Sequence, residues 1–160
     1  MKRITLLFVM LVACIGFATE SMAASKKVAV YVEGQMSKSL KTVVSSAVLA
    51  RMSGNKEYTP FERNEVFIHA LNGEQDYQLS GEVPEREIRK VGERLGVDYV
   101  IVVNAVLTSD NQCHMAARLI NLETGEIIKS VNLKREYEGT QTVSSMANNV
   151  AYRLLNKKSK

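Results

Sequence analysis

A run of apolar, mostly β-branched side chains near the middle of the chain is the clearest pattern in this sequence. It covers residues 99–103, with Gly96 before it and the polar residues 108–111 after it. Such a run is typical of a strand covered on both faces of a sheet, because a half-exposed strand would alternate polar and apolar positions. Each large side chain buried there contributes about 1.5–3 kcal/mol to folding. The pattern therefore predicts that this strand is the centre of the core.

The residues before Pro84 predict two strands and two helices. Residues 27–32 form a first β-branched strand. Apolar positions then recur at helical spacing after Ser37, whose side chain suits the N-cap of the first helix. Residues 58–62 predict a short strand at a sheet edge, since Pro60 has no N–H to donate to a ladder. Asn64 is the predicted N-cap of the second helix.

The rest of the chain predicts two more helices and a hairpin. Pro84 suits the first turn of the third helix, and Gly96 suits its C-terminal end. Two strands after the central one are joined by a polar turn around Gly125, a residue that accepts positive φ. Thr140 or Thr142 opens the last helix. Its apolar stripe consists of Val143, Met146, Ala147, Val150, Ala151 and Leu154.

The predicted order of elements is therefore β-α-β-α-α-β-β-β-α. This mixed order with a late hairpin indicates the α/β class, with a single mixed sheet packed by about four helices. Residues 24–156 have an ordinary length for one domain. We predict one domain over residues 24–156, followed by a basic tail at residues 157–160.

The first residues have the composition of a secretory signal peptide. Lys2 and Arg3 precede an apolar stretch over residues 4–18, and small residues lead up to Ala23. The apolar stretch is shorter than the roughly 20 residues that a membrane-spanning helix needs. We therefore expect cleavage between Ala23 and Ala24, which removes residues 1–23 and leaves the mature chain in the periplasm.

An alternative processing site stays open at Cys14. Residues 11–14 resemble the bacterial lipobox, in which the cysteine becomes the lipidated first residue. Lipidation there would make the protein an outer-membrane lipoprotein, held to the membrane by its acyl chains. Two observations argue against this reading: the apolar stretch continues past Cys14 to Ala18, and the leader would be very short.

Charge and cysteine content narrow the classes of partner. The formal net charge is +4, and part of the basic excess lies in the tail at residues 157–160. So small an excess argues against a nucleic-acid partner for an exported chain. Cleavage after Ala23 leaves Cys113 as the one cysteine, so no disulfide forms within the chain. Because Cys113 alternates with apolar residues, we predict that it is a buried apolar side chain.

No pattern in the sequence predicts a catalytic, metal or cofactor site. His69 and His114 are the only histidines, and neither has partners at metal-ligand spacing. The chain contains neither a Gly-x-Ser-x-Gly elbow nor a glycine-rich phosphate loop. Glu82, Glu85 and Glu87 are explained by the start of a helix, where carboxylates complement the macrodipole. We predict that the protein is not an enzyme and needs no cofactor.

Four segments together resemble one protein family. They are residues 58–65, 75–81, 88–101 and 117–127. The most specific parts are the entry Leu95-Gly96-Val97-Asp98-Tyr99 to the central strand and the Thr124-Gly125-Glu126 turn of the hairpin. The pattern resembles the periplasmic domain of the curli-secretion channel subunit (CsgG-like) and the related penicillin-binding-protein activator lipoproteins (LpoB-like). This resemblance implies an α/β domain of the anticodon-binding-like kind, used for protein contacts outside the cytoplasm and without catalysis.

The sequence departs from this family at two points. Asn104 stands where the family usually has glycine, and the chain is too short to add transmembrane hairpins. Arg63 matches a recurrent family arginine, which we interpret as an ion partner at a helix entry. Residues 58–61 are one candidate edge for an added partner strand, although proline more often protects such an edge. Beyond this candidate, the sequence does not identify partner-binding residues.

The resulting prediction is an exported, non-catalytic protein-binding domain. It would be accessory to an envelope assembly, secretion or cell-wall-synthesis machine, with envelope proteins as partners and membrane contact only if Cys14 is lipidated. A self-assembling ring subunit of a curli-type secretion apparatus stays open as an alternative. So does a hydrolase with an unrecognised site, for which His114 would be the residue to test.

Overall fold

In the described part of the chain, five strands form one mixed sheet with helices on both of its faces. The computed structural model describes residues 25–62, 64–75 and 84–156. The strands are β1 (Lys26–Glu33), β2 (Tyr58–Pro60), β3 (Tyr99–Leu107), β4 (Gln112–Asn121) and β5 (Ile127–Glu136). The helices are α1 (Lys38–Met52), α2 (Asn64–Gln75), α3 (Glu85–Leu95) and α4 (Thr140–Leu155). The predicted class and the predicted order of elements are confirmed.

The spatial order of the strands is β2-β1-β3-β4-β5. β1 pairs in parallel with both β2 and β3, whereas β3–β4 and β4–β5 are antiparallel. β3 therefore lies in the middle of the sheet, and its residues Val100, Ile101, Val102 and Val103 are all buried. The prediction of a central strand covered on both faces is confirmed.

Alternation along the strands divides the core between the two faces of the sheet. On the first face, α1 and α4 pack on side chains such as Val30, Ile101 and Met115. On the second face, α2 and α3 supply Phe67 and Val91 to a smaller cluster. This smaller cluster includes side chains of β1 and β3 but only the end of β4, so the helices leave most of the second face of β4 and β5 uncovered.

Local signals in the sequence place most of the helix and turn boundaries correctly. The Ser37 hydroxyl accepts a hydrogen bond from the Leu40 N–H and caps α1. Gly96 ends α3 in the left-handed conformation, at a φ of 69°. Gly125 has a φ of 75° in the β4–β5 turn. Pro84 differs from the prediction, since it occupies the N-cap of α3 and the first turn begins at Glu85.

The predicted role of Asn64 is wrong. The helix α2 begins at Asn64, but the bonds of the Asn64 side chain go to β1. The Asn64 amide oxygen accepts from the Val30 N–H at 2.7 Å, and the amide nitrogen donates to the Val30 carbonyl at 3.1 Å. β2 stops pairing at Pro60, opposite Val28, so Val30 has no strand on that side. The Asn64 amide takes the place of the missing peptide group, a role that depends on the path of the whole chain.

The residues that carried the family resemblance hold the sheet together. The Asp98 carboxylate accepts from the Lys27 N–H at 2.7 Å, so it fixes the start of β1 beside β3. The Tyr99 ring lies edge-on to Tyr58 at 5.7 Å between centroids, and the Lys26 ammonium is 5.1 Å from the Tyr99 centroid. These contacts assign the strand-entry motif a structural role.

The turn of the hairpin is held from outside by α3. The Arg89 guanidinium donates to the Leu122 carbonyl at 3.1 Å and to the Glu123 carbonyl at 3.0 Å. Within the turn, the Asn121 side chain accepts from the Glu123 N–H at 2.9 Å. The start of β5 is therefore anchored, although one side of the strand is open.

Several predictions fall outside the part of the chain that the structure describes. They are the signal peptide at residues 1–23 with its cleavage site, lipidation at Cys14, the basic tail at residues 157–160, and the roles of Arg63 and Glu82. Each of these stays a prediction.

Candidate interaction surface

β5 is the long free edge of the sheet. It is the last strand in the spatial order, and within the described residues it pairs only with β4. The Tyr137 N–H donates to the Asn111 carbonyl, which sets the alternation of the β4–β5 ladder. Every second residue of β5 therefore points its backbone N–H and carbonyl away from β4. The outward-pointing residues are Ser130, Asn132, Lys134 and Glu136.

The side chains of β5 are largely in contact with solvent. Ile127 and Ile128 are 46% and 44% exposed, and both lie at the start of the strand, beside an irregularity in its pairing with β4. Val131 and Leu133 point to the first face and pack against the larger core cluster. The strand is thus fixed to the domain along one face and one edge, while no described element covers its other face and its other edge.

Basic residues dominate the charge of β5. Lys134 and Arg135 are exposed, and because they are consecutive they point to opposite faces of the sheet. Lys129 donates to the Asn156 carbonyl at the C-terminal end of α4, where its charge also complements the helix dipole. Glu136 is the one acidic residue of the strand.

The uncovered part of the second face continues from this edge across β4. Arg118, Ala116 and His114 face it from β4, opposite Ser130, Asn132 and Lys134 of β5. Arg118 is held there by an ion pair with Glu85 of α3 at 2.9 Å. A shallow depression of about 460 Å³ lies on this surface. Polar and small side chains line most of it, which is typical of a contact surface and not of an apolar ligand pocket.

The edge that the sequence singled out is less accessible. β2 does occupy the opposite edge, so the predicted edge position of Pro60 is confirmed. β2 has only three residues, however, and its Tyr58 is buried. The Phe61 N–H beyond it is already bonded to the Val28 carbonyl. A partner strand would find little free backbone there.

The described part of the chain contains no cluster of metal ligands, and it keeps the two candidate histidines apart. Within residues 25–62, 64–75 and 84–156, no three His, Cys, Asp or Glu side chains lie close enough to hold a metal ion. His69 is exposed on α2, whereas His114 lies on β4, so the two histidines are on separate elements. A cleft of about 550 Å³ beside β1 is lined by Lys41, Ser45 and Glu65 among others, and its described lining includes neither His nor Cys.

Cys113 is buried, as predicted, and forms no disulfide. Burial raises the pKa of its thiol above the ordinary value. At a given pH, the raised pKa leaves less of the reactive thiolate than an exposed cysteine would have.

The folded protein should therefore resist thiol reagents. We expect Cys113 in the native mature chain to react with a maleimide or a disulfide reagent at least about 100-fold more slowly than in guanidinium chloride, because reaction requires local or global opening. The measurement is the rate of thiol modification followed by mass. A native rate close to the denatured one would contradict the buried position.

A membrane span is not visible in the described helices. None of α1 to α4 is long and apolar enough to cross a bilayer.

Comparisons with known proteins give similarities at the level of structure alone. No protein-family model and no curated protein matches the chain. TolB from Acinetobacter baumannii aligns over 82% of this chain and 28% of TolB, with 13% identity and a TM-score of 0.51. The PelC dodecamer from Paraburkholderia phytofirmans aligns over 84% of this chain and 89% of PelC, with 12% identity and a TM-score of 0.51. The likeness is one of fold.

A third solved structure aligns with this chain at a lower TM-score. The LpoB C-terminal domain from Salmonella enterica aligns over 73% of this chain and 87% of that domain, with 17% identity and a TM-score of 0.48. All three alignments have less than 20% identity, so the resemblance to CsgG-like and LpoB-like proteins stays a prediction. This chain spans little more than a quarter of TolB.

Proposed function

We propose that this protein is an exported, non-catalytic protein-binding domain, accessory to an assembly, secretion or wall-synthesis machine of the cell envelope. The observation that carries the proposal is β5, an edge strand of ten residues whose outer backbone groups and two isoleucines are open to a partner. Strand addition to such an edge is a common way in which a domain binds another protein. The predicted signal peptide supports a partner outside the cytoplasm.

The fold of the chain is compatible with this function. TolB and PelC share the fold at low identity, and LpoB was already part of the sequence resemblance. The described residues form no cluster of metal ligands, and no pattern in the sequence predicts a catalytic site, so the proposal is a binding function. The partner would be an envelope protein and not a nucleic acid.

A second candidate is assembly of the chain with itself into a ring. PelC from Paraburkholderia phytofirmans, which has the same fold, is a dodecamer. In such a ring the exposed surfaces of one copy would contact different surfaces of the next. Light scattering over a dilution series separates the two candidates. A stable ring keeps its mass on dilution, whereas an accessory domain has the mass of a monomer.

Site-specific photo-crosslinking in living cells tests the leading proposal. A benzophenone amino acid placed at Asn132 on β5 should form a covalent product with an envelope protein. The same group at Ala50, an exposed residue of α1, the helix that packs on β1 and β2, is the matched control and should give none. If no crosslinked product forms at Asn132, at Ala50 or at other exposed positions on the four helices, the binding function is refuted. A ladder of self-products would favour the ring.

Intact mass of the exported protein tests the processing. An unmodified chain beginning at Ala24 is the expected result. A chain beginning at an acylated Cys14 would instead make the protein a lipoprotein, anchored at the membrane. It would leave the domain and its binding surface unchanged.

A further inference from the structure

We propose that β5 binds an extended, acidic segment of a partner protein, which adds to the sheet as a sixth strand. This inference rests on the proposed binding function and deepens it, because it names the partner's chemistry and the way in which it binds. Three features of β5 carry it: the direction of its backbone groups, the distribution of its charges and the position of its exposed apolar residues.

The backbone supplies the attachment. Ser130, Asn132, Lys134 and Glu136 each point an N–H and a carbonyl away from β4. These groups lie at a regular spacing along an edge that no described element covers. An extended chain is the ligand that matches such a row, because its own N–H and carbonyl groups alternate with the same period.

The charges of β5 select an acidic partner. The strand carries Lys129, Lys134 and Arg135 against the single acid Glu136. Lys134 and Arg135 point to opposite faces, so two consecutive carboxylates on an added strand would meet one basic group on each face. The pKa of Asp110 in the β3–β4 turn is lowered mainly by the hydrogen bond from the Thr108 hydroxyl. The positive charge of Lys134 also contributes to lowering it. Arg135 forms no ion pair with any of the described residues.

The same charges disfavour a second copy of this chain as the occupant. If two β5 strands paired antiparallel about Asn132, Lys129 of each copy would lie directly opposite Arg135 of the other. Like charges in directly opposed positions destabilise a strand pair. Basic residues on an edge are a common protection against self-association, and they leave the edge open to a partner of opposite charge.

The exposed isoleucines indicate which residues the other end of the partner segment should carry. Ile127 and Ile128 begin the strand, seven residues or so from the basic pair. An added strand with its acidic residues opposite Lys134 and Arg135 would gain most by placing apolar side chains opposite these isoleucines. The inferred segment is therefore acidic at one end and apolar at the other.

Synthetic peptides test the charge selection on the full mature chain. The probe is a Thr/Val peptide as long as β5, with a Glu-Glu pair at one end and a Leu-Leu pair at the other. The control peptide has Lys-Lys in place of Glu-Glu. Titrations followed by backbone amide shifts should show binding of the acidic peptide, with the largest changes at Asn132 and Lys134. The double charge reversal Lys134→Glu with Arg135→Glu should weaken that binding about tenfold and reverse the preference between the peptides.

A proline substitution tests the backbone attachment. Asn132→Pro removes an outward N–H without removing a hydrogen bond to β4, so the domain should stay folded and lose peptide binding. Asn132→Thr keeps the N–H and is the matched control, which should bind like the original protein. If Asn132→Pro fails to fold, the double variant Lys134→Glu with Arg135→Glu still tests the inference, because both substituted side chains are exposed.

The outcomes separate this inference from the proposed function. Equal binding of the two peptides, absence of peptide binding, or amide shifts confined to another surface would overturn the inference. If the protein is a dimer and Asn132→Pro converts it to a monomer, the inference is overturned, because a second copy of the chain then occupies the edge. If crosslinking at Asn132 still captures an envelope protein in cells, the binding function stands without this mode. If crosslinking fails at every position, both the inference and the proposed binding function are refuted.

Discussion

Asn64→Ala should destabilise the domain by about 2–6 kcal/mol. The substitution leaves the buried N–H and carbonyl of Val30 without partners, and each such group costs about 1–3 kcal/mol. That loss is a large part of the 5–15 kcal/mol that typically holds a domain folded. Urea unfolding of the mature chain, followed by circular dichroism, measures the change in free energy. We expect a fall in the melting temperature of about 10 °C or more.

The size of this effect distinguishes two roles of Asn64. An ordinary helix N-cap costs only about 0.5–2 kcal/mol when it is replaced by alanine. Asn148→Ala is the matched control, because Asn148 is an exposed asparagine of α4 whose side chain bonds within its own helix. The control should stay within about 0.5 kcal/mol of the original protein. A loss at Asn64 as small as that of the control would contradict the bridging role.

Gly34→Ala should have an effect of similar size for a different reason. Gly34 has a φ of 101°, and a Cβ atom there would lie 2.4 Å from the Ala105 carbonyl oxygen. That oxygen belongs to the backbone of β3, so it has little freedom to move away. Strain of the backbone and overpacking each cost about 1–3 kcal/mol, and together they predict a loss of about 2–6 kcal/mol. Denaturant unfolding again provides the measurement.

Gly54→Ala is the control for this substitution. A Cβ atom at Gly54, which follows α1, would meet no atom within 4 Å, and the residue has no positive φ. The change should be neutral or stabilise the domain by up to about 1 kcal/mol. If Gly34→Ala proved as harmless as Gly54→Ala, the close approach of the β1–α1 connection to β3 would have to be wrong.

Both substitutions probe the scaffold that positions β5. Asn64 bonds to Val30 of β1 and Gly34 lies against Ala105 of β3, so both sites are separated from β5 by at least one strand. A variant that weakens the domain there should lower binding only in proportion to its unfolded fraction. Direct loss of binding in a fully folded variant should therefore be confined to β5 and the adjoining second face.

The sequence by itself determined the elements of this protein and most of their boundaries. The run of residues 99–103 predicts the buried β3, Ser37 predicts the start of α1, and Gly96 and Gly125 predict positive φ where the structure has it. These features depend on periodicity and turn chemistry within a few neighbouring residues, so a single sequence contains them. The burial of Cys113 follows in the same way from its alternation with apolar neighbours.

Only the tertiary structure decided which surface is open. The mixture of apolar and charged residues in β5 is compatible with several positions in a sheet, and its place at the edge follows from the strand order. The uncovered second face of β4 exists because α2 and α3 pack on β1 and β3. Asn64 binds Val30 because β2 ends early, which no local pattern shows. Each of these outcomes depends on contacts between distant segments, and residues at an edge or an interface have no periodic signature of their own.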